Sequence, residues 1–284
     1  MTSRPAAVAG RFYPNNRRRL VETVDRLLTA TRTVDESPSP IGIIVPHAAY
    51  QYSGPVAAAA YARLADPPVT VERVVVLGPA HFEPLTGCAV PAAQAFETPS
   101  GSVPVDNECC DALAQRPDVV RDDTPHLREH AIEVQLPFLL RVLPDGWRLV
   151  PVVVGQTQPS AVADLLDATV TPRTLVVCST DLSHYLDHNT AAQRDRRTAE
   201  AIIARRAKAI ADHDACGAAA LRGILTWAKQ HRHNVELLDL RTSADTAGDP
   251  ARVVGYGAFT LLRRATATRN GQRKHPTNTS ISVP

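Results

Sequence analysis

The 284-residue chain is 44% hydrophobic, which is enough to fill a sizeable core, and its formal net charge of +2 does not favour nucleic acid as a partner. No apolar run reaches the ~18 residues of a membrane span, and the amino terminus lacks the pattern of a secretory signal. Five cysteines, an odd number without C-x-x-C spacing, argue against a disulfide framework. The composition predicts a cytoplasmic protein with reduced thiols and no membrane partner.

Apolar runs and amphipathic segments alternate along the chain. Four β-branched runs predict strands buried on both faces: "IGIIV" (41–45), "ERVVVLG" (72–78), "WRLVPVVVG" (147–155) and "TLVVCST" (174–180). Helical periodicity is found at 20–28, 54–64, 129–143, 159–170, 191–207 and 217–230. Two further strands are expected in "NVELLDLRTSA" and "VVGYGAFTLLR". This order predicts a single three-layer α/β/α domain over residues 1–264, with a mostly parallel central sheet.

Three segments depart from this alternation. Residues 87–106 are broken by proline and glycine, which predicts a small hairpin or an active-site loop. Pro137 is expected to kink or interrupt the 129–143 helix. The polar, basic tail, residues 265–284, has no periodicity and is predicted to be disordered.

Polar side chains follow several of the predicted strands. His47 comes one proline after the first strand, His81 follows the second, and Asp181 and His184 follow the fourth. Because open α/β sheets bind ligands beyond the carboxyl ends of their strands, these side chains are expected to face one cleft. Each also has a simpler interpretation. A lone histidine after a strand is often a hydrogen-bonded loop residue, and Asp181 could cap a following helix.

Two further groups are candidates for the same cleft. Glu129, His130 and Glu133 fall within about one turn of a predicted helix, where they either orient the strand-end residues or form a solvated helix start. Cys216 precedes a glycine and a helix, whose amino terminus could favour a thiolate. Cys178 lies in a predicted buried strand and is interpreted as core.

Nine sequence blocks span nearly the whole chain in order: "AVAGRFYP" (7–14), "PHAAYQYSGPVAAAAY" (46–61), "VVVLGPAHFEPLTGCAV" (74–90), "FETPSGSVPVD" (96–106), "EHAIEVQLPFL" (129–139), "VPVVVG" (150–155), "STDLSHY" (179–185), "DACG" (214–217) and "GYGAFTL" (255–261). Together they resemble the Memo family and its AmmeMemoRadiSam relatives. So many blocks in the same order do not arise from shared composition.

The resemblance implies a fold similar to the LigB-type class III extradiol dioxygenases, which are non-haem iron enzymes. It also implies that His47, His81 and Cys216 are metal ligands, with Asp181 and His184 beside them. One position departs from the family pattern: Ala49 replaces a glycine, so a loop that needs a positive φ there would be strained.

Two imidazoles and a thiolate suit iron(II) or copper ahead of zinc, and they are poor ligands for magnesium or calcium. We therefore expect a metal-dependent redox protein that acts on an unknown small substrate. In this hypothesis Asp181 and His184 are catalytic acid–base groups, and the ligands are oriented by Glu129, His130 and Glu133. The alternatives are a non-catalytic module that holds a peptide or a metal ion in a dioxygenase-like cleft, and a zinc hydrolase.

Overall fold

The computed structural model describes residues 2–31, 39–65 and 70–264, in which strands and helices alternate. The strands are β1 (Ser3–Arg4), β2 (Gly42–Val45), β3 (Arg73–Pro79), β4 (Cys88–Val90), β5 (Ala95–Thr98), β6 (Gly101–Pro104), β7 (Val119–Arg121), β8 (Arg148–Val154), β9 (Thr174–Ser179), β10 (His184–Leu186), β11 (Asn234–Thr242) and β12 (Val253–Leu262). The α-helices are α1 (Arg17–Thr31), α2 (Tyr50–Tyr61), α3 (Asn107–Leu113), α4 (Thr124–Leu127), α5 (Leu136–Val142), α6 (Pro159–Thr169), α7 (His188–Ile203) and α8 (Ala218–Gln230).

The main sheet is mixed and runs in the order β7, β4, β8, β3, β9, β2, β12, with β10 and β11 also paired to β12. Its four central strands, β8, β3, β9 and β2, are parallel, while β4 and β12 flank them in antiparallel fashion. Strands β1, β5 and β6 form a separate small sheet. The predicted α/β class is confirmed. The parallel carboxyl ends of β2, β3 and β9 are brought to one edge of the sheet.

Helices cover both faces of this sheet because its central strands are apolar on both sides. Every residue of β2 and β9 is buried, and burial of each valine or isoleucine contributes roughly 1.5–3 kcal/mol. Helices α1, α2 and α5 pack against one another, as do α6 and α8. On α1 the buried side chains are Leu20 and Val24, which belong to the predicted apolar face.

The helix predicted at 129–143 is shorter in the structure. Helix α5 begins at Leu136, and Pro137 lies in its first turn, where a missing N–H costs no hydrogen bond. Glu133 is in a preceding 3-10 turn, and Glu129 and His130 are not helical. These residues therefore do not share a helical face. Ala49 has φ −58°, so its replacement of glycine causes no strain.

The predicted hairpin in 87–106 is confirmed by the antiparallel pairing of β5 and β6. The predicted disordered tail lies outside the described residues. Among the residues described, no helix is long and apolar enough to cross a membrane.

His126 makes stability depend on pH. Its Nε2 donates to the Ala89 carbonyl (3.2 Å), and burial lowers its pKa from 6.5 to about 4. Between these pH values the unfolded chain binds more protons, so this histidine makes stability fall as pH drops from 6.5 to 4, by up to about 3 kcal/mol. Urea unfolding at pH 7 and 4.5 should show that His126→Gln loses less stability between these pH values than the wild type does. Glutamine keeps a hydrogen-bond donor but cannot be protonated. Equal losses would contradict this assignment.

Candidate metal centre

Three side chains from distant parts of the sequence meet at the carboxyl edge of the sheet. His47 follows β2, His81 follows β3, and Cys216 precedes α8. One ligand atom from each lies within 4.8 Å of the other two. The two ring centres are 5.1 Å apart, and Cys216 Sγ is 3.2 Å from His47 Nε2. These spacings suit one ion with bonds of ~2.0–2.3 Å.

Buried hydrogen bonds fix the tautomer of His47. Ser179 has one hydroxyl proton, which it donates to the Ala131 carbonyl (2.6 Å). Its oxygen therefore accepts from Gln135 Nε2 (2.8 Å) and from His47 Nδ1 (3.0 Å). A proton on Nδ1 leaves the lone pair on Nε2, on the side of Cys216. Burial and the neighbouring His81 lower the His47 pKa to about 3, so this imidazole is neutral near pH 7 and able to bind a metal.

Glu129 fixes the tautomer of His81 in the same way. A carboxylate can only accept, so His81 Nδ1 donates to Glu129 Oε1 (3.0 Å), and the His81 backbone N–H donates to Oε2 (2.9 Å). Burial opposes ionisation of Glu129, but hydrogen bonds from His81 and from the Ala131 N–H lower its pKa to about 2. His81 Nε2 is left free, as in metal sites where a carboxylate orients a ligating histidine.

Cys216 is a thiol in this arrangement. Its sulfur accepts from the Asp181 N–H (3.3 Å) and donates to His47 Nε2. Burial and the nearby Asp181 raise its pKa well above the ordinary value. The expectation that the start of α8 favours a thiolate is thus wrong for the metal-free protein, because burial outweighs the helix terminus. A metal ion would have to replace the thiol proton.

Asp181 lies on the loop after β9, and His184 is the first residue of β10. Asp181 is 5% exposed, and its Oδ1 accepts from the His47 N–H (2.7 Å) instead of capping a helix. Burial raises its pKa. His184 Nδ1 donates to the Leu182 carbonyl (2.8 Å), which leaves Nε2 as an acceptor. Asp181 therefore positions the backbone of His47, and His184 offers a free imidazole nitrogen.

His130 completes a triangle of imidazoles. Its ring centre lies 4.8 Å from that of His81 and 5.3 Å from that of His47. Burial, followed by the neighbouring His47, lowers its pKa to about 4. Ligand atoms of His81, Glu129 and His130 also lie within 4.8 Å of one another. However, the His81 and His130 rings are nearly parallel, at 19°, so in-plane nitrogen lone pairs do not converge well on one ion. His130 packs beside the centre.

Glu133 belongs to a different cluster. It is fully buried and accepts hydrogen bonds from the backbone N–H groups of Ala7 (2.7 Å) and Val8 (3.0 Å), and it forms an ion pair with Arg4. Within the described chain its hydrogen bonds go to the N-terminal segment and not to the histidines. Its predicted role in orienting the ligands is therefore replaced by an anchoring role.

Sequence reasoning missed Gln135. Its Nε2 also donates to the Pro46 carbonyl (3.0 Å), and its Oε1 accepts from the Tyr61 hydroxyl (2.9 Å). This amide thus holds Ser179 and the residue before His47 together. The available signal was that Gln135, like Glu133, is a polar residue within the otherwise apolar run "IEVQLPF". A cleft of about 1130 Å³ opens beside Cys216 and provides access for a ligand.

Comparisons with known proteins identify relatives along nearly the whole chain. A family model described as "Memo-like protein" matches residues 4–260. A MEMO1 family protein of Methanopyrus kandleri is 36% identical, covering 92% of this chain and 99% of its own, and one of Thermotoga petrophila is 34% identical, covering 89% and 97%. The crystal structure of an uncharacterized Escherichia coli K12 protein aligns with a TM-score of 0.48 at 11% identity, covering 76% of this chain and 98% of that one.

Proposed function

Since the chain belongs to the Memo family, we propose that it binds one iron(II) or copper ion through His47, His81 and Cys216 and uses it in redox chemistry on a small molecule. The observation that carries the proposal is the convergence of three ligand atoms within 4.8 Å. Both histidines support it because Nδ1 of each ring donates a hydrogen bond, which leaves an Nε2 lone pair for a metal.

The donor set favours iron(II) or copper over zinc for redox work, and it disfavours magnesium and calcium, which prefer oxygen ligands. When bound, such an ion would supply a Lewis acid and a one-electron redox centre. Three protein ligands leave room for a substrate atom. In this proposal Ser179 and Glu129 hold the two imidazoles in their metal-binding tautomers.

Asp181 and His184 are proposed to be the acid–base groups. His184 Nε2 is free to accept a proton because Nδ1 donates to a carbonyl. Asp181 is buried against the His47 backbone, and its raised pKa keeps it a candidate proton donor. The cleft beside Cys216 would admit the substrate.

The test is metal analysis of tag-free protein that has been purified and loaded without oxygen. We expect close to one iron or copper ion per chain and oxygen consumption that scales with bound metal. His81→Gln should lower metal affinity by about 10-fold or more. The control is His188→Gln, which removes a histidine that is hydrogen-bonded to Thr242 and should leave metal affinity unchanged.

Three other results would redirect the proposal. Less than about a tenth of an equivalent of metal, with no uptake on titration, would remove the metal-dependent function. Stoichiometric metal without oxygen consumption would favour a peptide- or metal-binding module. Full activity with zinc in the absence of oxygen would favour a hydrolase.

A further inference from the structure

Two arginines near the histidine cluster lie over aromatic rings. The Arg252 guanidinium carbon is 4.3 Å from the Tyr185 ring centre, and that of Arg128 is 4.7 Å from the Phe82 ring centre. Within residues 2–31, 39–65 and 70–264, neither guanidinium has an ion-pair partner. Stacking occupies the face of a guanidinium and leaves the N–H groups at its edge free to donate.

Both aromatic residues directly follow a histidine of the candidate centre. The Tyr185 ring centre is 5.6 Å from that of His184, and the Phe82 ring centre is 6.4 Å from that of His81. Tyr185 is 63% exposed and Phe82 is 40% exposed, so neither ring is part of the core. The two pairs therefore present cationic groups to solvent, one beside His184 and the other beside His81.

The backbone at Tyr185 supports a role in binding. Tyr185 has φ +61°, a left-handed conformation that a bulky residue rarely adopts. It lies at the register shift where β10 pairs with the start of β12, between the His184–Val254 and Leu186–Val253 pairs. Bulges of this kind redirect a side chain and are frequent beside active sites. Here the bulge turns the Tyr185 ring outward, where it meets Arg252.

Within the described chain, the carboxylates nearest in sequence to Arg252 and to Tyr185 form no ion pair with the Arg252 guanidinium. Asp187 caps α7 by accepting from the Thr190 N–H (3.1 Å), and Asp249 accepts from the Ala251 N–H (2.9 Å). The Arg128 side differs, because Glu83 directly follows Phe82 and adds an acidic residue to the segment that carries this ring. An anionic ligand is therefore better accommodated at Arg252.

We propose that the substrate carries a carboxylate or phosphate group that Arg252 and Tyr185 bind; this rests on the proposed function. The edge of a guanidinium matches either oxyanion with two parallel hydrogen bonds, and the phenol hydroxyl supplies a third donor. This contact would hold the rest of the molecule beside His184.

The experiment titrates metal-free protein with benzoate and with inorganic phosphate, followed by amide chemical shifts. Arg252→Gln should lower the affinity for the tighter-binding probe by at least about 10-fold. Arg252→Lys and Tyr185→Phe should lower this affinity by a smaller factor. Arg196→Gln, which removes the same charge from the exposed side of α7, should bind like the wild type. The probe that binds with the higher affinity shows whether the site prefers a carboxylate or a phosphate.

Iron(II) titration of the same variants separates this proposal from the metal function, since Arg252→Gln should bind iron within about twofold of the wild type. The oxyanion proposal is overturned if Arg252→Gln binds both probes like the wild type, or if neither probe binds the wild-type protein at millimolar concentration. If the wild-type protein binds a probe but does not bind iron(II), the metal function alone is overturned.

Discussion

Replacing Cys216 by serine is expected to lower the affinity for iron(II) or copper by about 10-fold or more. The sulfur lies 3.2 Å from His47 Nε2 and accepts from the Asp181 N–H, so it occupies the third corner of the candidate site. A serine hydroxyl fills nearly the same space but is a much poorer ligand for a soft metal. Anaerobic titration of metal-free wild type and Cys216→Ser with iron(II) measures the difference.

Cys178→Ser provides the matched control. Cys178 is fully buried in β9, opposite Ile44 of β2 and Leu77 of β3, so serine there should reduce stability by about 1–3 kcal/mol without changing metal stoichiometry. Mild oxidation of Cys216 should act like its substitution, because a sulfenic or sulfinic acid is a different ligand. Equal iron affinities for wild type and both variants would exclude Cys216 from the site.

The fold could be predicted from the sequence where burial alone determines structure. The strands β2, β3, β8 and β9 are continuous apolar runs that suit only the centre of a sheet covered on both faces. Once these strands are predicted, the positions of their carboxyl ends are known as well. His47 and His81 are therefore expected at one edge of the sheet. The antiparallel pairing of β4 with β8 and of β12 with β2 could not be predicted, because the direction of a strand that flanks the parallel centre depends on its connections.

The finer parts of the centre depend on contacts between distant residues. Cys216 was singled out by family resemblance, since its position before a glycine and a helix does not by itself identify a metal ligand. The helical face expected for His130 and Glu133 fails because Pro137 delays the start of α5, and the two residues then serve different clusters. The tautomers of the histidines follow from Ser179 and Glu129, whose partners are visible only in three dimensions.

Glu133→Ala is expected to destabilise the protein by about 3–5 kcal/mol. Glu133 is fully buried and Arg4 is 2% exposed, so removing the carboxylate leaves a guanidinium charge without its partner in the interior. The substitution also strips the acceptor from the Tyr13 hydroxyl (2.5 Å) and from two backbone N–H groups. Urea unfolding of wild type and variant at pH 7 measures the loss.

This effect should reach the metal centre, because Arg4 also donates to the backbone carbonyls of His126 (2.9 Å) and Glu129 (2.5 Å). It thereby fixes the loop that supplies Glu129 to His81. Glu72→Ala, which breaks an exposed ion pair with Arg173, is the control and should cost no more than about 1 kcal/mol. Arg4→Met combined with Glu133→Leu should recover part of the loss, since no charge is then left buried. If Glu133→Ala is no more destabilising than Glu72→Ala, the buried pair does not anchor this loop.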